Sequence, residues 1–243
     1  MNAIEIEGLT KIFDGRRAVD GLSLSITEGE LLALLGVNGA GKSTTIKMLS
    51  GVLRPDGGDA YIMGASVVSE LQKVKPHINV SPQETAVAPN LSVFENLRLI
   101  SGIYGADRAA SCAAADGMIS ELGMEAVARQ RAGTLSGGWQ RRLSIAMALI
   151  TKPQVLFLDE PTLGLDVLAR RELWSEIEKL KGKMTVVLTT HYLEEAEALS
   201  DRVAVMSAGR LAAVGTADAL KKQTGKANFE DAFIQLAAGG GTI

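Results

Sequence analysis

The chain has a single cysteine, Cys112, in 243 residues, so no internal disulfide and no cysteine metal cluster is available to it. Cys112 reads as a small packed residue on a helix. No apolar run reaches the roughly 18 uncharged residues that a membrane-spanning helix needs. The opening segment, MNAIEIEGLTK, lacks a basic region followed by an apolar stretch, so a secretory signal is not expected and a cytoplasmic location is. Positive charge is also scarce. Twenty-five Lys and Arg face 28 Asp and Glu, a net charge of −3, which argues against nucleic acid as a partner. The pairs Arg16-Arg17, Arg141-Arg142 and Arg170-Arg171 are too short to make a basic patch and read as solvated faces or helix caps. No internal repeat is visible. What remains is a 47% apolar composition, enough for one large domain or two intimately joined lobes.

Against that background one segment stands out. Gly36-Val37-Asn38-Gly39-Ala40-Gly41-Lys42-Ser43 fits G-x-x-x-x-G-K-[ST] and follows the apolar run Leu31 to Leu35, which reads as a buried strand. Glycines there let successive backbone N–H groups converge on an anion. Lys42 adds a point charge for the outer phosphates, and Ser43 offers a hydroxyl to Mg²⁺. A helix expected from about residue 42 to 50 aims its N-terminal dipole at the same charge. The pattern implies a bound nucleoside triphosphate.

Elsewhere, short β-rich runs are expected near residues 4–6, 22–26, 60–63, 155–158, 185–189 and 203–206, several separated by turn signals such as Asp14-Gly15 and Ala208-Gly209. The runs at 155–158 and 186–188 are apolar at every position, as strands buried on both faces of a parallel sheet are. Between about 92 and 150 the pattern turns helical. Ser92-Val93-Phe94-Glu95 resembles a capping box, and an alanine-rich helix and a third helix from Gly138 follow it. A helical insert thus interrupts an α/β core, which resumes at Gln154.

The 155–158 run ends in Asp159-Glu160. An acid at such a strand end holds magnesium in P-loop enzymes, the role expected for Asp159; Glu160 follows where it could accept a proton from an attacking water. Leu135-Ser136-Gly137-Gly138, directly before a helix, forms a second anion site by the dipole argument. One molecule rarely needs two such sites for one triphosphate, whereas a head-to-tail pair does.

Taken together, the phosphate loop, Leu135-Ser136-Gly137-Gly138, the Asp159-Glu160 strand and the lone His191 resemble the nucleotide-binding subunit of an ATP-binding-cassette (ABC) transporter, from Ile4 to about Leu236. The resemblance implies an α/β P-loop NTPase of RecA-like core with an N-terminal antiparallel β subdomain and an inserted α-helical subdomain. In that reading residues 1–236 form one domain: core 1–83 and 153–225, helical part about 84–152, a short C-terminal helix about 228–237, and a tail 238–243.

ATP and Mg²⁺ are the implied cofactors. Phe13, Gly36, Asn38, Gly39, Ala40, Gly41, Lys42, Ser43 and Thr44 would hold the nucleotide, with Phe13 stacked on adenine. Ser43, Gln83 and Asp159 would hold the metal. Lys42, Gln83, Glu160 and His191 would be catalytic, and Ser136, Gly137, Gly138 and Asp166 would reach the nucleotide of a second cassette. Trp139 departs from the glutamine that commonly follows the signature. A second cassette, identical or related, and integral membrane permease subunits docking near Gln83 and the helical part are the implied partners. They would place the protein on the inner face of the cell membrane. The ending Asn228 to Leu236 is similar to the terminal helix of drug- and polysaccharide-exporter ATPases, so export is the expectation. An importer ATPase, or a soluble ABC ATPase of iron–sulfur cluster assembly or another non-transport role, stays open.

Overall fold

The computed structural model describes residues 1–239. Two strands, β1 (Asn2–Phe13) and β2 (Arg16–Thr27), open the chain as a hairpin. It turns on Asp14 and Gly15, both at positive φ (47° and 76°), the conformation a two-residue hairpin loop demands. These strands run well beyond the short apolar runs visible in the sequence, because their ends are half-exposed and polar. With β4 (Gly57–Ile62) and β5 (Ala65–Ser66) they form a four-stranded sheet in the order β2-β1-β4-β5, antiparallel throughout.

The main sheet has six strands. Its strands are β3 (Leu31–Leu35), β6 (Ile78–Ser81), β7 (Val155–Asp159), β8 (Thr185–Thr190), β9 (Arg202–Ser207) and β10 (Arg210–Gly215). Their order is β10-β9-β3-β8-β7-β6, parallel except at β10. Residues of β3, β7 and β8 are buried at every position because both faces are covered, as their unbroken apolar runs require. Alternation then splits each strand between two cores. Leu31, Ala33, Leu35, Leu156, Leu158, Val186 and Leu188 face one, which the helices cover. Leu32, Leu34, Val155, Phe157 and Val187 face the other, beneath the antiparallel sheet.

Helix α1 (Lys42–Leu49) follows β3, and the short α2 (Leu71–Val74) precedes β6. Between β6 and β7 lie α3 (Val93–Ile103), α4 (Arg108–Glu121) and α5 (Gly137–Leu149). The capping box at the start of α3 is formed: the Ser92 amide donates to Glu95 Oε2 at 2.8 Å and the Glu95 amide to Ser92 Oγ at 3.2 Å. Asp107 caps α4, which carries the half-buried Cys112. Helices α6 (Val167–Glu178), α7 (Leu193–Leu199), α8 (Ala217–Thr224) and α9 (Phe229–Gly239) complete the chain. The last of these takes in Ala238 and Gly239, against the sequence expectation of a tail from 238; residues 240–243 of that tail lie outside the described residues. Among the described residues no helix is long and apolar enough to cross a membrane.

Candidate functional site

Strand β3 sits inside the sheet and delivers residues 36–41 to the edge where β7 and β8 also end. The loop is packed too tightly for side chains at two of its glycines. A Cβ at Gly36 would lie 2.5 Å from the Met206 carbonyl oxygen. Gly41, at φ 101°, would place one 2.5 Å from the Ala18 carbonyl oxygen. Lys42 opens α1 and is 5% exposed. Its Nζ donates to the carbonyls of Gly36 (2.7 Å) and Val37 (3.4 Å) and lies 3.4 Å from Glu160 Oε1.

Ser43 Oγ donates to Asp159 Oδ1 at 2.8 Å. Thr189 Oγ1 donates to the same oxygen at 2.5 Å, so the carboxylate is held from helix α1 and from strand β8. Thr189 also accepts the Glu160 amide at 2.9 Å. It escaped the sequence reading because a threonine in a buried strand looks like any β-former. Glu160 is 6% exposed and has φ 48°, a left-handed backbone that costs a non-glycine residue about 1–3 kcal/mol and concentrates at functional sites. His191, just past β8, brings Nδ1 to 2.8 Å from Glu160 Oε2. Both carboxylate oxygens of Glu160 therefore face a nitrogen.

Lys42, Ser43, Glu160 and His191 line a cleft of about 440 Å³ together with Phe13, Asn38, Gly39, Ala40, Gly41, Thr44 and Gln83, whereas Gly36 and Asp159 are not on its wall and Asp159 reaches it through Ser43. Ala18, which carried no sequence signal, also lines it, as does Leu163, the first residue of the segment Leu163-Gly164-Leu165-Asp166 that leads to Asp166. Phe13 is 46% exposed, with the Lys11 ammonium 5.6 Å from its ring centroid. Ser43 and Asp159 set a hydroxyl and a carboxylate oxygen side by side, with Gln83 on the same cleft; hard oxygen donors of this kind suit Mg²⁺.

Ser136, Gly137, Gly138 and Asp166 do not line that cleft. Helix α5 begins at Gly137, one residue earlier than expected, because Ser136 already takes the extended N-cap conformation (φ −62°, ψ 157°). The Ser136 hydroxyl makes no capping bond. Asp166 caps α6, its Oδ1 accepting the amides of Leu168 and Ala169 at 2.9 Å. Trp139 is half-buried, with the Arg142 guanidinium 4.6 Å from its ring.

One expectation is corrected. Arg141 is not on a solvated face: it is 4% exposed, turned under the cleft, where backbone carbonyls take its hydrogens. Burial pulls its pKa down to about 10, against the opposing charges of Asp159, Glu195 and Glu160, so it stays cationic at neutral pH.

A phosphate loop fed by a parallel strand, with carboxylates at the end of β7, one strand beyond its neighbour β8, defines a P-loop nucleoside triphosphatase. Residues 19–163 match the ABC transporter family model, and the chain belongs to that family. It is 44% identical over 224 residues to the daunorubicin/doxorubicin resistance ATP-binding protein DrrA of Streptomyces peucetius, covering 92% of this chain and 68% of that one. A solved ATP-binding subunit of an ABC transporter superposes with a TM-score of 0.84 at 28% identity, over 96% of this chain and 99% of the other. A dimeric cassette in a post-hydrolysis state with ADP and phosphate gives 0.78 at 25% identity, over 88% and 98%. The chain is thus an ATP-binding, Mg²⁺-using ATPase subunit that powers transport. Cassettes of this family dimerise and work with membrane permease subunits.

Proposed function

We propose that this cassette drives export, hydrolysing ATP between two cassettes with the residues gathered in its cleft. The observation that carries the chemistry is the placement of Glu160. Its two oxygens lie 3.4 Å from Lys42 Nζ and 2.8 Å from His191 Nδ1, at the mouth of the phosphate loop. Loop amides and Lys42 hold the phosphates, and Phe13 stacks on the base. Ser43, Asp159 and Gln83 hold the metal, which when bound neutralises charge on the phosphate oxygens. Glu160 takes the proton of the attacking water, and His191 fixes the orientation of that carboxylate. Ser136, Gly137, Gly138 and Asp166, outside their own cleft, serve the nucleotide of the other cassette. Their position and the free Ser136 hydroxyl support that reading. Permease subunits dock near Gln83 and the helices between β6 and β7, on the inner face of the membrane.

Export of amphiphilic compounds rests on the likeness to a drug-resistance ATP-binding protein. Inside-out membrane vesicles from cells carrying the protein, given MgATP, should accumulate a fluorescent anthracycline. Vesicles from cells carrying Glu160→Gln should not. Equal accumulation in both would remove export of that class.

A further inference from the structure

Arginine has five N–H donors in a planar fork and no acceptor. A buried one ordinarily meets a carboxylate, which repays part of its desolvation. Arg141 instead bonds four backbone carbonyls. Nε donates to Pro161 O at 2.8 Å and Nη2 to Asp159 O at 2.7 Å. Nη1 donates to Pro82 O, and to Gln83 O at 3.3 Å. The first two acceptors flank Glu160, the residue held at positive φ, one on each side. The second two lie at the residue expected to meet the metal and the attacking water. Arg141 itself stands on α5, whose N-terminus carries Ser136, Gly137 and Gly138.

We propose that Arg141 is a positioning residue for ATP hydrolysis, fixing the backbone around Glu160 and at Pro82-Gln83 as one unit and tying both to the helix that serves the other cassette's nucleotide. The inference rests on the reading of Glu160 as the base and Gln83 as a water contact. Three segments distant in sequence (residues 82–83, 159–161 and the first turns of α5) share one guanidinium. A displacement of α5 therefore moves the base loop and Gln83 together. Among the described residues the phosphate loop and Phe13 make no bond to Arg141, so losing it affects nucleotide affinity far less than turnover.

The test is the split between turnover and binding in Arg141→Lys and Arg141→Gln of the full chain, with Glu160→Gln as reference. An ammonium cannot bond all four divergent carbonyls, and an amide has two N–H donors at most. Both variants should bind fluorescent ATP analogue within about 3-fold of wild type and hydrolyse MgATP at least about 20-fold more slowly, within the roughly 10- to 100-fold that losing an outer-shell positioning partner costs. Lysine is the variant that keeps the charge and the fold if glutamine does not. In Arg141→Ala, methylguanidinium at millimolar concentration should restore turnover and methylammonium should not. Wild-type turnover in Arg141→Lys, or parallel loss of binding and turnover, overturns the proposal. If Glu160→Gln itself hydrolyses ATP normally, the underlying reading of the base fails instead.

Discussion

Removing the Thr189 hydroxyl tests how the Asp159 carboxylate is held. Thr189→Val keeps the shape of a fully buried side chain and deletes two bonds: the one to Asp159 Oδ1 at 2.5 Å and the one from the Glu160 amide at 2.9 Å. The losses are unequal. The amide retains the Thr189 carbonyl at 3.2 Å, so it is not orphaned. Asp159 Oδ1 retains Ser43 at 2.8 Å but loses its buried, charge-assisted donor. Hydrogen bonds to charged groups contribute about 1.5–3 kcal/mol, so we expect a loss of about 2 kcal/mol in stability. In a chain of 243 residues that lowers the melting temperature by about 4–8 °C. A carboxylate freed from one of its two donors should also hold metal less well, and the Mg²⁺ concentration for half-maximal hydrolysis should rise about tenfold. Calorimetry and a Mg²⁺ titration of ATPase rate measure both. A melting temperature within about 1 °C of wild type, with unchanged Mg²⁺ dependence, would refute the reasoning.

Two further outcomes follow from the same geometry. Glu195 is fully buried, with one oxygen accepting from Trp174 Nε1 at 3.1 Å, and burial raises its pKa against the Thr190, Thr162 and Trp174 donors that pull it down. A raised folded-state pKa favours the protonated form, so the stability it allows is complete below the ordinary value of 4.5 and is lost as pH rises. Glu195→Gln should therefore be more stable than wild type in urea at pH 8, with the advantage shrinking towards pH 4.5; a constant difference across that range would count against it. Phe13→Ala should weaken ATP binding about 5- to 30-fold, the loss of about 1–2 kcal/mol of base stacking, and leave the melting temperature unchanged because the ring is 46% exposed. Isothermal titration and calorimetry check the pair of values.

The parts legible in the sequence were those that local chemistry dictates. The phosphate loop must be glycine-rich and follow a strand. The capping box needs only Ser92 and Glu95, and the fully apolar runs of β3, β7 and β8 have room only at the centre of a sheet. The parts that escaped depend on distant neighbours. Strand β6, Ile-Asn-Val-Ser, and strand β10, Arg-Leu-Ala-Ala-Val-Gly, lie at the two edges of the main sheet, where burial is partial and no clean period survives. Arg141 and Arg142 are adjacent and alike in sequence. The helix turns one into the interior and leaves the other to stack on Trp139 and pair with Glu172 at 3.1 Å. Only the helix phase relative to the core separates them, and a pair of arginines does not encode it. Thr189 likewise gains its role from facing Asp159 across two strands.

The central claim is that Ser136, Gly137, Gly138 and Asp166 complete a second cassette's site instead of their own. Light scattering on a size-exclusion column measures it most directly, using Glu160→Gln so that bound ATP is not consumed. The account predicts a monomer of 25.6 kDa without nucleotide and a dimer of twice that mass with MgATP, and no such dimer when Ser136→Arg is added. A Glu160→Gln dimer that forms with MgATP just as readily when Ser136→Arg is present would contradict it.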